Sequence, residues 1–320
     1  MIAYRFFIVS IACMNVIGML GAYQLPKITD LGLGTEIFAV NEKGQIAFTA
    51  TISNTVDHQA VLWERGIRTT LGFLPGDTES WAAALNNRGQ VVGWSTGTCF
   101  SRAFVWQDGI MMPLGGCVSQ AHGINNRGQI VGFSGTGAVM WQDGKMIDLG
   151  IPGGSGGAIN ERGQIVGAYD VSGITRAFLW ENGHITDLGL LSGAESCGPQ
   201  GINNHGQVVG WCFLSSGFLQ AFLWDKGVMT ALDLPAGILG SAAQHINDRG
   251  EIVGFAHGSD FQGRAVMWKQ GALIDLSAAI APSVWRLMDA YDISESGQVV
   301  GLGNIVPVVS GFHGFLLNTH

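Results

Sequence analysis

One motif of about ten residues recurs along the whole chain, and it constrains the fold more than any other feature. Its clearest copy reads Gly201-Ile202-Asn203-Asn204-His205-Gly206-Gln207-Val208-Val209-Gly210. Relatives start at Asn41, Asn86, Asn125, Asn160, Asn247 and Ser294, each with a glycine three residues on. The seven glycines, at positions 44, 89, 128, 163, 206, 250 and 297, are separated by 45, 39, 35, 43, 44 and 47 residues, a period that suits the blades of a β-propeller. Asn at the start of the turn and glycine at its left-handed position suit a type I turn closing a bulged hairpin. Each copy therefore predicts the turn between two strands, A and B.

Two further marks complete each repeat. A strand C reads Ala60-Val61-Leu62-Trp63, Ala103-Phe104-Val105-Trp106 or Ala221-Phe222-Leu223-Trp224, and a strand D reads Ile147-Asp148-Leu149-Gly150 or Thr186-Asp187-Leu188-Gly189. Strand B, as in Gln129-Ile130-Val131-Gly132-Phe133, is β-branched and bounded by glycine, as strands are. The last repeat ends after Gly314-Phe315-Leu316-Leu317 without a strand D, whereas Lys27-Ile28-Thr29-Asp30-Leu31-Gly32 is a strand D with nothing before it. Pairing the two ends removes the exposed edges. The expected fold is all-β: a seven-bladed β-propeller with four-stranded antiparallel blades, the last closed by the N-terminal strand.

The combination of Ala-Phe-Leu-Trp, Thr-Asp-Leu-Gly and Ile-Asn-x-x-Gly-Gln-Val-Val-Gly resembles the HAF-repeat family of bacterial extracellular proteins, over almost everything from Lys27 to Leu317. The residue before strand C is His only at His313; elsewhere it is Gln59, Arg102, Gly137, Arg176, Gln220 or Arg264, so the family's eponymous His is not a site here. The resemblance implies secretion and a repeat architecture, with no established activity or ligand.

Residues 1–22 stand apart, with Arg5 followed by an apolar run from Phe6 to Leu20 and then Gly21-Ala22. This reads as a secretory signal peptide, cleaved after Ala22; the run is shorter than the roughly 20 apolar residues a bilayer span needs. Cys13 offers lipid attachment as the alternative. Residues 23–320 then form one propeller domain carrying four cysteines, an even number suited to an oxidising compartment. Cys197 and Cys212 flank the motif symmetrically and would face each other across an A–B hairpin; Cys99 and Cys117 are the other candidate pair. The expected location is secreted or periplasmic. The net charge of -8, without a run of Lys and Arg, argues against nucleic acid as a partner.

Alternation of strand direction puts the A–B and C–D turns on one face of the disc and the B–C loops and D–A connections on the other. The first face is uniform in length and composition, whereas the second varies, so a protein or glycan ligand is expected on the second. Its candidate residues are Trp81, Trp285 and Arg286, the last two in the longest connection; the alternative is that the tryptophans pack into the propeller. Asp77 and Glu79 accompany Trp81. Trp94 and Trp211 take the slot of Phe133 and Phe255 after the strand B glycine, and periodicity makes them core residues.

Two residues before each turn stand Ala39, Ala84, Gly123, Ala158, Gly201, His245 and Asp292. His245 and Asp292 are thus expected to meet near the axis, either as a base and its orienting acid or as a pair joining blades six and seven. The sequence has no Walker loop, no Gly-x-Ser-x-Gly elbow, no sialidase-type Asp box and no His/Cys spacing of a metal site, so neither cofactor nor metal is expected. A monomeric binding or scaffold module is the leading reading, with an enzyme acting on extracellular polysaccharide as the alternative.

Overall fold

The computed structural model describes residues 27–33, 35–51, 58–135, 137–306 and 311–319. The signal-peptide and lipid-attachment expectations, Cys13 included, lie outside these residues. Seven four-stranded antiparallel sheets follow one another around a ring. The inner A strands are Thr35–Val40, Glu79–Leu85, Ser119–Ile124, Ser155–Ile159, Ala194–Ile202, Gly240–Ile246 and Trp285–Ile293. Blade seven takes its outermost strand, Ile28–Leu33, from the start of the chain, in the register Ile28↔Leu317 and Asp30↔Phe315. The ring therefore closes as the orphan strand D requires. Among the described residues no helix is long and apolar enough to cross a membrane.

The repeat motif owes its glycine after strand B's paired valines to close packing. A Cβ at Gly93, Gly132, Gly167, Gly210, Gly254 or Gly301 would overlap the carbonyl oxygen of the strand A residue just before its cross-strand partner, respectively Trp81, Gln120, Ser155, Gly198, Ala242 and Asp289. At Gly167, Gly210 and Gly301 it would also strike the strand C phenylalanine, Phe178, Phe222 or Phe315. These rings are fully buried, each stabilising the fold by ~2–3 kcal/mol. Blade one reverses the arrangement: the bulky ring, Phe48, sits on strand B, opposite Val61 of strand C.

Strand A does not keep a simple two-residue alternation. In every blade its register shifts near the axis, for example between Ala121 and Gly123, between Ala243 and His245, and between Ala290 and Asp292. One extra residue, such as His122, Gln244 or Tyr291, is inserted at this β-bulge. Blade seven has a second shift, between Leu287 and Asp289.

The turn Asn is the hub of the A–B face. Asn160 Oδ1 accepts the backbone N–H groups of Arg162 and Gln164, while its Nδ2 donates to Gln164 Oε1 and to the Asn203 carbonyl of the next blade. Asn41, Asn86, Asn125, Asn203 and Asn247 make the same set of bonds, with Glu251 in place of glutamine after Asn247. The next residue builds a second ring: the N–H groups of Glu42, Asn87, Asn126, Glu161, Asn204, Asp248 and Glu295 each donate to the side chain of the equivalent residue one blade on. The motif is therefore the fastening between blades as well as the turn within one.

Both cysteine pairs are disulfides. Cys197 and Cys212 are direct cross-strand partners with Cα atoms 4.0 Å apart, and Cys99 and Cys117 are 5.3 Å apart. The ring also gathers basic residues that are scattered in the sequence. Lys43, Arg88, Arg127, Arg162 and Arg249 take the third turn position of five blades, interleaved with Glu42, Glu161, Asp248, Glu251 and Glu295. The A–B face is thus mixed in sign.

Candidate functional site

The long connection expected between Ser277 and Met288 is shorter than its sequence suggests. A helical turn, Leu276–Ala279, is capped by Asp275, whose carboxylate accepts the N–H groups of Ser277 and Ala278. Strand A of blade seven then begins at Trp285, so Trp285 and Arg286 are strand residues paired with Ile305 and Asn304. Trp285 is half-buried against the apolar cluster containing Leu276, Ile280 and Leu287, its ring perpendicular to that of His313 with the centroids 6.0 Å apart. Packing, the alternative considered for this tryptophan, describes its position.

Trp81 is likewise a half-buried strand residue. It stacks between His58 (5.4 Å) and its cross-strand partner Trp94 (6.0 Å). Trp94 departs from the core role expected of it: it is half-buried, lines the central cavity and turns its edge towards His122. Trp211 is also half-buried, lying over Gly198. Asp77 is buried and tied to Arg102 at 2.8 Å and to Thr98, which hold its carboxyl below the usual range against the opposing effect of burial. It ties the connection into blade two to the B–C loop at Thr98 and to the start of strand C at Arg102.

His245 and Asp292 meet as the repeat alignment expects, with Nδ1 2.8 Å from Oδ1. Asp292 also accepts the N–H groups of Ile293 and of Val40 in blade one, so the pair ties three blades together. The small residues at equivalent positions reflect converging strands: a Cβ on Gly201 would come within 3.1 Å of the His245 Cα, and one on Gly123 within 3.0 Å of the Gly157 carbonyl. Burial of the His245 ring opposes its charge, but the charge and hydrogen bond of Asp292, helped by Glu295, raise its pKa. That favours the imidazolium, an acid and donor rather than a base. Among the described residues no three His, Cys, Asp or Glu converge to hold a metal ion.

The pair borders a cavity of about 620 Å³ at the end of the central channel nearest the A–B turns, within the ~300–1,000 Å³ typical of small-molecule sites. Residues from the A strands of all seven blades line it, and Trp94 adds a wall from strand B. Its inner wall is formed by the bulge residues Ala83, His122, Gly157, Gln200, Gln244 and Tyr291. Reading the strands by simple alternation misses these residues, because an inserted residue turns a position inward that the period assigns elsewhere. The signal was present in the polar residues His122, Gln200 and Gln244, which occupy one slot of a strand otherwise rich in small residues.

His122 and His245 differ electrostatically. Burial lowers the pKa of His122, whose Nδ1 lies 3.1 Å from the Gly156 carbonyl, so its neutral form is favoured. Behind Gln244, burial pushes the Asp289 carboxyl up to about 7, opposed by hydrogen bonds from Ala290 and Gln244. Its Oδ1 is buried and finds no hydrogen-bond partner among the described residues. The folded chain therefore retains a proton that the unfolded chain releases near its ordinary value of 3.8. Stability then falls as pH rises from ~4 to ~7. Asp289→Asn is expected to raise stability by ~2–4 kcal/mol at pH 8 and to leave it nearly unchanged at pH 4, as measured by denaturant midpoints at the two pH values.

No protein-family model and no curated relative matches the sequence. Solved structures do resemble the chain. A Mycobacterium tuberculosis puromycin-hydrolyzing peptidase is 12% identical over 85% of this chain and 50% of that one, with a TM-score of 0.55. The β-propeller domain of the Trilobed protease from Pyrococcus furiosus is 13% identical over 89% and 96%, also at 0.55. A puromycin hydrolase reaches 0.58 at 13% identity over 85% and 50%. The likeness is one of fold. The chain spans half the length of the two hydrolases.

Proposed function

We propose that this chain is an extracytoplasmic β-propeller of the HAF-repeat kind that serves as a binding module, taking a protein partner on its B–C and D–A face. The observation that carries this reading is the placement of the exposed aromatic side chains. Among the described residues the exposed phenylalanines are Phe73, Phe100, Phe213, Phe261 and Phe312, and all five lie at the ends of strands or in loops that open on this face. Phe100 and Phe261 are 81% and 70% exposed. Exposed apolar groups on the rim, such as Ile67, Ile110 and Val228, recur at the first position of strand D and belong to the blade edge; the phenylalanines follow no such repeat. Exposed aromatic patches mark protein contacts.

The same face is braced for the task. The Cys99–Cys117 disulfide ties the loop carrying Phe100 to the connection into blade three, and Phe218, His257 and Phe261 stack across blades five and six at 5.4–6.5 Å. Two disulfides fit export to an oxidising compartment. In the likened P. furiosus protein the propeller is named as one domain of a protease, which is the kind of attachment a binding module serves.

A photo-crosslinking amino acid placed at Phe100, Phe261 or Phe312, and at Arg127 on the opposite face as a control, tests the proposal. Mixed with extracellular proteins of the same cell, the first three positions are expected to give a common adduct, and Phe213→Glu combined with Phe261→Glu to abolish it. Adducts from Arg127 alone, or none that depend on position, would sink the reading. A second reading, an enzyme acting on extracellular polysaccharide, draws on the cavity beside His245 and Asp292. Polysaccharide turnover lost in His245→Ala would favour it.

A further inference from the structure

We infer that the cavity at the A–B end of the channel is a binding site for an uncharged saccharide, one or two sugar rings of a glycan end inserted along the axis. This site is separate from the loop face and rests on a different observation, the hydrogen-bonding groups that the ring of turns leaves unused.

Most polar groups around the cavity are already engaged. Both Glu42 oxygens accept backbone N–H groups from Glu295 and Ser296, and both Asp292 oxygens are held by Val40, Ile293 and His245. Asn87 and Asn126 each use their carbonyl oxygen, and Glu161 and Glu295 one carboxylate oxygen, to fasten the preceding blade. What remains is a mixed set facing the lumen. The amide nitrogens of Asn87 and Asn126, the second oxygens of Glu161 and Glu295, and the whole amide of Gln200 find no partner among the described residues. Donors on blades two and three and acceptors on blades four and seven thus share one opening with the Gln200 amide of blade five, all on planar groups, with Trp94 and Tyr291 among the wall residues.

The chemistry selects among ligands. An anion is disfavoured, because no Lys or Arg lines the cavity while Glu161 and Glu295 present carboxylates. A cation gains little: the other carboxylates are engaged by backbone amides, and the favoured charged form of His245 offsets one of the two that remain. A hydroxyl donates one hydrogen bond and accepts others at the same atom, so a polyhydroxyl ring satisfies neighbouring amides and carboxylates together, and its apolar face suits an indole or phenol wall. The volume admits such a ligand. The bulges matter because each places one additional residue at the lumen, Ala83, His122, Gly157, Gln200, Gln244 and Tyr291, giving a varied wall rather than a uniform one.

The test uses the purified full chain, titrated with maltose, cellobiose and N,N′-diacetylchitobiose, with the sodium salt of a galacturonic acid dimer and with hexylamine, read by saturation-transfer NMR and calorimetry. At least one neutral disaccharide is expected to bind, and the acid and amine to bind at least tenfold more weakly. Gln200→Ala, which removes a side chain with no hydrogen bond to another described residue, is expected to weaken binding about five- to tenfold. Gly157→Leu fills the lumen from a position where a Cβ meets only the Val166 carbonyl at 3.5 Å, and is expected to abolish binding with an unchanged denaturation midpoint. Phe261→Glu should leave saccharide binding unaltered, which separates this site from the loop face. Preferred binding of the amine or the acid, no binding of any neutral sugar, or binding unaffected by both channel variants overturns the inference.

Discussion

Gly254→Ala is expected to destabilise the protein by ~3–5 kcal/mol, a large share of the ~5–15 kcal/mol that holds a typical domain folded. The added methyl would occupy the space of the Ala242 carbonyl oxygen on the neighbouring strand. A side chain in the way can rotate; a carbonyl fixed in a ladder can move only with its strand. Strand A of blade six would have to withdraw from strand B, carrying His245 with it and loosening its contact with Asp292. Gly116→Ala is the control, since a Cβ there meets nothing within 4 Å, and its effect should stay within ~0.5 kcal/mol. Denaturant midpoints of the two variants decide the matter: equal values would mean that the strand B glycine is dispensable.

Asn160→Ala is expected to cost ~3–4 kcal/mol, for a different reason. The side chain is 4% exposed and makes four hydrogen bonds, at 2.8, 2.9, 3.0 and 3.0 Å. Truncation leaves the backbone N–H groups of Arg162 and Gln164 without a partner, each at ~1–3 kcal/mol unless water reaches it, and takes one of two donors from Gln164 Oε1 and from the Asn203 carbonyl, which keep Arg162 Nη2 and the Gly206 N–H. Asn160→Asp should not rescue the fold, because it would face Gln164 Oε1 and the Asn203 carbonyl with an oxygen in place of the amide nitrogen. Arg162→Ala, two residues away on an exposed side chain, should be nearly neutral. If Asn160→Ala and Arg162→Ala unfold at the same denaturant concentration, the turn asparagine is no fastening.

Much of this was legible in the sequence for a physical reason: the features that close a propeller are local and repeat. A turn Asn followed by a left-handed glycine, such as Asn203 and Gly206, states its geometry within four residues. The orphan strand D at Lys27 declared ring closure because an unpaired edge has to go somewhere. The Cys197–Cys212 pair followed from the hairpin register, and the His245–Asp292 contact from counting back from the turn. The remainder depended on an insertion that spacing does not reveal. The bulge at His122 and its equivalents turns one more side chain towards the axis, so the cavity wall was hidden behind the alternation, and Trp94 was assigned to the core by analogy with Phe133. Trp285 and Arg286 were placed in a loop because strand A of blade seven, with two register shifts, matches no single period. The interblade rings involve residues about 40 apart, and nothing in one repeat announces that its side chain completes the next.

The fastenings between blades have a sense of rotation. Each turn Asn donates forward, to the carbonyl of the following blade, and each backbone N–H beside it donates forward as well, to the following side chain. A blade on its own therefore has bare donors on one flank and bare acceptors on the other, and any arc short of the full circle keeps one of each at its ends. Only at the join between blades seven and one does the pattern alter: Ser294 turns its hydroxyl to Ser296 instead of reaching forward, and Glu42 answers by accepting two N–H groups, from Glu295 and Ser296. The molecule is in effect a bracelet whose links repeat and whose clasp is made differently, beside the blade in which Ile28–Leu33 pairs with His313–Asn318.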